Sequence, residues 1–337
     1  MENKLVTVII PTYNSENFII RCINKVIAQT YKNIEIIAID DGSSDNTVKI
    51  LNDFKIIKVL QNKTNQGPAY SRTRGLKEAR GEFVTFLDSD DYWDEKFIMT
   101  TIDFLENNLD AVAVSTGYMG IDLKGNKGIS KPVLDKEDST YYTVKGKVCP
   151  DFFEFWSKYF GVLTGTVMMR TELAKKTGGQ RSELRLTEDL EFWGYLSTFG
   201  KWGFIPQVLF ITDPGILKPS ERLKKMKDRY KFFVDLDIDD WFKRIKENIN
   251  EENEQSVKKI LNHIKTTVVI ANVYVYNTDK SYELVDLWKD DLETGLGGVL
   301  KRWHKLGKIF WPFISVIIRL REMMKSYISY YIRIFKK

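Results

Sequence analysis

Short apolar runs alternate with amphipathic stretches through the first third of the chain. Leu5–Pro11, Ile34–Asp40, Ile56–Leu60, Phe83–Asp88 and Asp110–Thr116 are rich in β-branched and aromatic residues and predict strands. Glu16–Gln29, Asp45–Phe54, Pro68–Ala79 and Glu95–Asn107 fall between them and predict helices. Strands alternating with helices of this length indicate βαβ units and a parallel sheet. The polar, glycine-containing segment Gly117–Lys147 predicts a long connection. Beyond it, Gly161–Arg170 and Trp202–Ile211 are strand-like and Glu188–Thr198 is helical. From Lys218 onward the pattern turns helical and charged, in Ser220–Asp235, Asp240–Asn248 and Glu252–Tyr276.

This order divides the chain into an α/β part at 1–215, a helical extension at 216–298 and a tail at 299–337. Charge sets the tail apart. It holds ten Lys or Arg and one acid, Glu322, so it carries +9 of a chain whose net charge is +5. Positive charge is thus local, which argues against a nucleic-acid partner for the whole protein. The apolar run Ile309–Ile318 is too short to span a bilayer and contains Pro312. Trp303, Phe310, Trp311, Phe313, Tyr327, Tyr330, Tyr331 and Phe335 interleave with the basic residues, a mixture suited to an interfacial helix on an anionic leaflet. The alternatives are a terminal helix packed on the protein with a basic outer face, or contact with a second copy in a homodimer. Two Cys and two His leave no disulfide framework and little for a zinc site. Met1-Glu2-Asn3-Lys4 runs directly into the first strand, which predicts no secretory leader and a cytoplasmic location, peripheral on the inner face of the membrane.

The run Phe83–Leu87 ends in Asp88-Ser89-Asp90-Asp91, three carboxylates in four positions at the tip of a buried strand. Open α/β sheets bind ligands beyond such tips. Clustered carboxylates repel one another unless a cation joins them, and hard oxygen donors suit Mg²⁺ or Mn²⁺. A polar turn capping the next helix is the bland reading.

Other motifs follow in order: Pro11-Thr12-Tyr13-Asn14, Asp40-Asp41-Gly42-Ser43, Asn65-Gln66-Gly67, Ser71-Arg72-Thr73-Arg74-Gly75, and Thr187-Glu188-Asp189 some way beyond the Asp cluster. Over residues 4–212 the set resembles the family 2 glycosyltransferases, inverting enzymes of the GT-A fold that build bacterial capsule, exopolysaccharide and other surface glycans. The resemblance implies a mostly parallel, Rossmann-like sheet flanked by helices. It implies that Pro11, Tyr13 and Asp41 line a nucleoside pocket, where Tyr13 offers a flat face and Asp41 an acceptor for a ring N–H. It places Asn65, Gly67 and Arg72 near the nucleotide and diphosphate, although Arg74 is close enough to compete. Asp88, Ser89 and Asp90 then match the DxD element, with Asp88 and Asp90 toward the metal and Asp90 its direct ligand.

The family's Glu-Asp pair matches Glu188 and Asp189, giving Asp189 as general base and Glu188 as support. Thr187 is a reasonable N-cap, and a helix N-terminus favours an ionised carboxylate. Trp193 and Trp156 are candidates to stack on an acceptor sugar, with core packing as the alternative. The implied partners are a UDP-sugar and a polyprenyl-diphosphate-linked saccharide. A nucleotidyltransferase is disfavoured because no Gly-rich loop follows the first strand, and a dehydrogenase because no G-x-G-x-x-G does. The reading from another class is a catalytically idle, membrane-docked subunit that binds nucleotide sugar; the intact Asp88, Asp90 and Asp189 set argues against it.

Overall fold

Strand β1 (Val6–Thr12) is buried along its whole length, as befits a strand of a parallel sheet whose faces are covered by crossover helices. It pairs in parallel with β2 (Ile34–Asp40) and with β4 (Phe83–Phe86), and β3 (Ile57–Gln61) extends the parallel run beyond β2. The crossovers are α1 (Ile19–Ile27), α2 (Thr47–Asp53) and α3 (Pro68–Glu78). Ile19, Cys22, Ile23 and Val26 form the buried face of α1, the spacing that an amphipathic helix requires.

The computed structural model describes residues 4–121, 127–129, 146–159, 162–184, 187–212, 224, 228, 230–249, 251–292, 295–321 and 324. After β4 come β5 (Tyr92–Trp93), α4 (Phe97–Asn107), β6 (Ala111–Ile121), β7 (Lys127–Ile129), β8 (Lys147–Cys149) and α5 (Phe152–Tyr159). They are followed by β9 (Val167–Arg170), α6 (Thr171–Lys176), α7 (Glu188–Ser197) and β10 (Lys201–Thr212). The sheet order is β3-β2-β1-β4-β9-β6-β10-β5, with β7 on β6 and β8 on β10. The parallel half is the expected one. Beyond β4, β9 inserts antiparallel to both β4 and β6, while β10 runs parallel to β6.

The expected connection Gly117–Lys147 is partly strand. β6 continues to Ile121 and forms a hairpin with β7, and Lys147 begins β8. Residues 122–126 and 130–145 of that segment lie outside the described residues, as do half of Ser220–Asp235, residues 322–323 and the tail beyond 324. Within Gly161–Arg170, a 3-10 turn at Thr164–Thr166 comes first and only Val167–Arg170 is strand. Trp93 explains that turn: its indole N–H donates to the Gly165 carbonyl at 2.7 Å.

The chain forms two compact units: residues 1–215 together with Arg244–Asn248, and 216–243 together with 249–337. In the second unit, helices Glu254–Tyr274, Thr278–Leu287, Gly295–His304 and 311–321 enclose a core that includes Val269, Val273, Val285, Leu300 and Trp311. No helix among the described residues is long and apolar enough to cross a membrane.

Gly81 sits where β4 begins and the chain passes close to β1. A Cβ there would lie 2.6 Å from the Thr7 nitrogen and 2.8 Å from both the Leu5 and Phe83 carbonyl oxygens, all backbone atoms. Gly81→Ala is therefore expected to cost about 1–3 kcal/mol, as overpacking does. A melt of the variant that matched wild type would show that the strands part more readily than their packing indicates.

Candidate active site

Three loops leave the sheet at the carboxyl ends of β1, β2 and β4, and side chains fasten them together. Asn14 takes left-handed backbone, φ 48°, which Asn tolerates better than most residues. Its N–H donates to Ser43 Oγ at 2.9 Å, and its Oδ1 accepts from the Ser44 N–H at 2.9 Å. The Glu16 N–H donates to Asp45 Oδ2 at 3.1 Å, and the Asn46 N–H returns a bond to Glu16 Oε2 at 3.1 Å. Toward β4, the hydroxyls of Ser15 and Ser89 lie 2.7 Å apart. Pro11 is buried within β1 opposite Ile39, whereas Tyr13 is 51% exposed and presents its ring.

Asp40 and Asp41 divide their roles. Asp40 Oδ2 accepts from the N–H groups of Gly42 and Ser43 at 3.2 Å each, the geometry of a side-chain-closed turn. Asp41 Oδ1 accepts from Asn62 Nδ2 at 2.7 Å and the Gln66 N–H at 3.0 Å, and its Oδ2 from the Gly67 N–H at 2.7 Å. Each carboxylate oxygen has about two lone pairs, so Oδ2 retains one for a further donor. Gly67, at φ 90°, turns the chain into α3 with Pro68 at its first position. Asn65 lies exposed on the loop that Asp41 holds.

Arg72 and Arg74 go to different places. Arg74 donates to the Gln61 carbonyl at 2.7 Å and to Asn62 Oδ1 at 2.6 Å, bracing that loop. Arg72 is 4% exposed. Its Nη2 donates to Asp88 Oδ1 at 2.5 Å and its Nη1 to Gln180 Oε1 at 3.2 Å, with Glu188 Oε1 at 3.8 Å from Nη1. Burial works against the guanidinium charge, but the Asp88 and Glu188 carboxylates outweigh it and raise the pKa.

Glu188 and Asp189 open α7, with Thr187 at the N-cap. Asp189 Oδ1 accepts the Leu190 N–H at 2.8 Å, and part of the residue stays open to solvent. Loss of water from around the carboxyl pushes its pKa up, Glu188 adds to the rise and Arg72 opposes it, leaving it at about 7. The helix N-terminus does not secure the ionised form as expected, because burial and the neighbouring acid prevail. Asp88, Arg72, Glu188 and Asp189 thus form one charged group.

Asp90 is partly exposed in the turn closed by the Asp91 N–H on the Asp88 carbonyl at 3.0 Å. Arg21 Nη2 donates to the Asp90 carbonyl at 2.6 Å, which holds that turn. Among the described residues no three His, Cys, Asp or Glu gather as a cation cage. One or two carboxylates are what Mg²⁺ or Mn²⁺ takes when substrate phosphates complete its shell, so Asp90 and Asp88 fit such an ion.

The acceptor-stacking expectation is corrected. Trp193 is 0% and Trp156 2% exposed. Trp193 packs among Phe86, Phe192 and Trp202, and Trp156 against Phe152, so neither has a ring face open to a sugar. Four residues not singled out from the sequence complete the site. Asn62 anchors Asp41, and Gln180 caps Arg72. Glu191, wholly buried, is gripped by Arg244 through both oxygens, with Nε at 2.7 Å from Oε1, while Arg244 Nη1 donates to the Thr177 carbonyl at 2.6 Å. The Gly178-Gly179 pair before Gln180 was the available signal, since both adopt positive φ to make the turn.

Residues 7–171 match the family model described as Glycosyl transferase family 2. The Escherichia coli protein UDP-Glc:alpha-D-GlcNAc-diphosphoundecaprenol beta-1,3-glucosyltransferase WfaP is 34% identical over 169 residues, 40% of this chain and 67% of that protein. The chain belongs to glycosyltransferase family 2. A second relative, an uncharacterized glycosyltransferase of Haemophilus influenzae, is 39% identical over 132 residues, 38% of this chain and 52% of that one. This family 2 chain spans about half, or less, of the length of the first curated relatives it matches. The crystal structure of S. aureus TarS 1–349 in complex with UDP aligns with a TM-score of 0.53 and 20% identity, covering 83% of this chain and 88% of that one. At that identity the likeness is one of fold: a GT-A-like α/β sheet with helices following it.

Two stability measurements follow. Asp189 has an ordinary pKa of 3.8 and a folded value of about 7, so the folded state binds the proton more tightly. Its contribution to stability is full below the ordinary value and is lost as pH rises through the folded one. Asp189→Asn should therefore melt like wild type at the acid end. Its advantage should grow up to about pH 7 and then level; a gap independent of pH would refute the raised pKa. Arg244→Ala should cost about 3–5 kcal/mol by stranding the wholly buried Glu191, Glu191→Ala less because Arg244 is partly exposed and keeps the Thr177 carbonyl, and the double variant less than their sum. Additive losses in denaturant melts would mean that the pair is not coupled.

Proposed function

We propose that the protein is an inverting glycosyltransferase. It moves a sugar from a UDP-sugar to a hydroxyl of a saccharide carried on polyprenyl diphosphate, in the assembly of a surface glycan. The observation that carries this is Asp189: partly reachable, in the first turn of α7, with its carboxyl poised at about 7 beside the Arg72–Asp88 pair. A base works best with a pKa near the operating pH.

On the donor side, the open ring of Tyr13 offers a stacking face for the base, and the spare lone pair of Asp41 Oδ2 an acceptor for uracil N3–H. Asn65 and Gly67 bound that pocket, and Ser89 holds the turn between it and Asp90. Mg²⁺ or Mn²⁺ at Asp90 and Asp88 would neutralise charge on the diphosphate. Arg72 serves as a brace, fixing Asp88 and restraining the pKa of Asp189. Glu188 positions the base through that same guanidinium.

Asp189 takes the proton of the acceptor hydroxyl. The oxygen then forms its bond to the anomeric carbon on the face opposite the diphosphate. The carbon–oxygen bond to the diphosphate breaks, UDP leaves with the electron pair, and the configuration inverts. The printed name of WfaP, which gives a diphosphoundecaprenol-linked GlcNAc acceptor, supports the acceptor class, and the UDP complex of TarS supports the donor base. Such an acceptor would place the work on the cytoplasmic face of the membrane, where the basic tail meets an anionic leaflet.

Asp189→Asn should leave UDP-sugar affinity by calorimetry within about twofold of wild type and lower transfer to a lipid-linked acceptor by ~10²–10⁴-fold. Transfer that survived the change would remove Asp189 from the role of base. Binding without transfer in the wild type, across donors and acceptors, would leave the protein a nucleotide-sugar-binding subunit.

A further inference from the structure

Helix 311–321 is apolar on two opposite sides. Trp311, Ile314 and Ile318 point into the core of the second unit; Trp311 is 1% exposed and its indole N–H donates to Ser281 Oγ at 2.7 Å. At about 100° per residue, Phe313, Ile317 and Leu320 fall on the other side. That side is open: Phe313 is 69% exposed, and Ile309 in the preceding turn 90%, with Phe310 exposed beside it. The outer face of a surface helix ordinarily carries polar residues, and a contiguous exposed apolar stripe marks a contact surface.

Charge identifies the contact. From Lys301 to Arg321 there are six Lys or Arg and no acid. Around the same helical circle, Arg319 and Arg321 fall between the buried and the open faces, so basic groups border the stripe on both flanks. Arg302 and Lys305 are exposed at its amino-terminal end, beside Lys308, which is exposed but paired with Asp279 at 3.1 Å. An apolar strip edged by cations matches acyl chains beneath anionic headgroups. A soluble protein partner would have to offer an acidic rim around an apolar trough, and a second copy of this chain would set like charges against each other.

We propose that the open side of residues 306–320 lies in the interface of an anionic lipid leaflet, with the helix parallel to the surface. Phe313, Ile317 and Leu320 sit among the acyl chains. The tail expectation is narrowed by this: Trp311 is committed to the protein's own core and Trp303 packs against it, so neither anchors the membrane. The assignment of this partner rests on the lipid-linked acceptor proposed above for its purpose, but its observations are separate.

The test is flotation of the full chain with phosphatidylcholine vesicles, with and without phosphatidylglycerol. Wild type should float with the anionic vesicles and much less with the neutral ones. Phe313→Ser with Ile317→Ser, and separately Arg302→Glu with Lys305→Glu, should each cut the bound fraction about tenfold. Both double variants should keep the wild-type melt and the wild-type hydrolysis of UDP-sugar in solution, since they alter exposed positions. Equal flotation of the Phe313/Ile317 variant would overturn the proposal. So would a wild-type dimer by light scattering that this variant converts to monomer, because a second copy would then cover the stripe. Loss of hydrolysis in wild type itself would count against the transferase reading and leave the flotation result standing.

Discussion

Arg72 carries a positive charge into a place that water hardly reaches, and acids from two separate elements are arranged around it. A buried ion pair loses solvation on both sides and recovers it only through close, well-directed contacts. Here the contacts are Asp88 from the end of β4 and Glu188 from the start of α7, with the Gln180 amide oxygen filling a third direction. Without the guanidinium, a strand tip and a helix start that both bear carboxylates would repel each other. The same charge reaches Asp189, where it opposes the rise caused by burial and by Glu188. Arg72 thus holds the Asp189 pKa down against the larger upward effects of burial and of Glu188.

The remainder of the site is built to keep that group still. Hydroxyl and amide contacts join the β1 loop to the β2 loop on one side and to the β4 tip on the other. Behind α7, the aromatic cluster around Trp193 and the buried Glu191–Arg244 pair hold the helix in register. Large rings packed beneath α7 act through rigidity: they fix the direction in which its first turn projects, while the second unit keeps its own separate core.

The strand tips were legible because buried strands read as apolar runs that stop abruptly. Ile34–Asp40 has the predicted bounds, and β1 and β4 begin within a residue of theirs. The motif residues at those tips could be named for the same reason. Pairing direction could not, since an apolar run such as Val167–Arg170 looks the same whichever way it enters the sheet. Nor could the choice between Arg72 and Arg74, which depends on where α3 turns each side chain. The tryptophans misled because residue type does not state which helix face is covered; Trp193 shares its buried face with Phe192 and Leu196. For Gln180 the Gly178-Gly179 pair marks the turn, but its partner, 108 positions away, could not be read from the sequence.

That separation matters for how the protein comes to be folded. The links that join the strand-tip loops, from Asn14 to Ser43 and from Ser15 to Ser89, close loops of 29 and 74 positions. The group around Arg72 draws on more distant chain: β9 reaches back to β4 across 82 positions, from Thr85 to Val167, and Gln180 meets Arg72 across 108. Loop closure grows costlier with length, and non-local pairing slows folding. The joined loops at the tips of β1, β2 and β4 are thus complete in a growing chain once Ser89 is made, while the charged group around Arg72 must await Gln180 and Glu188.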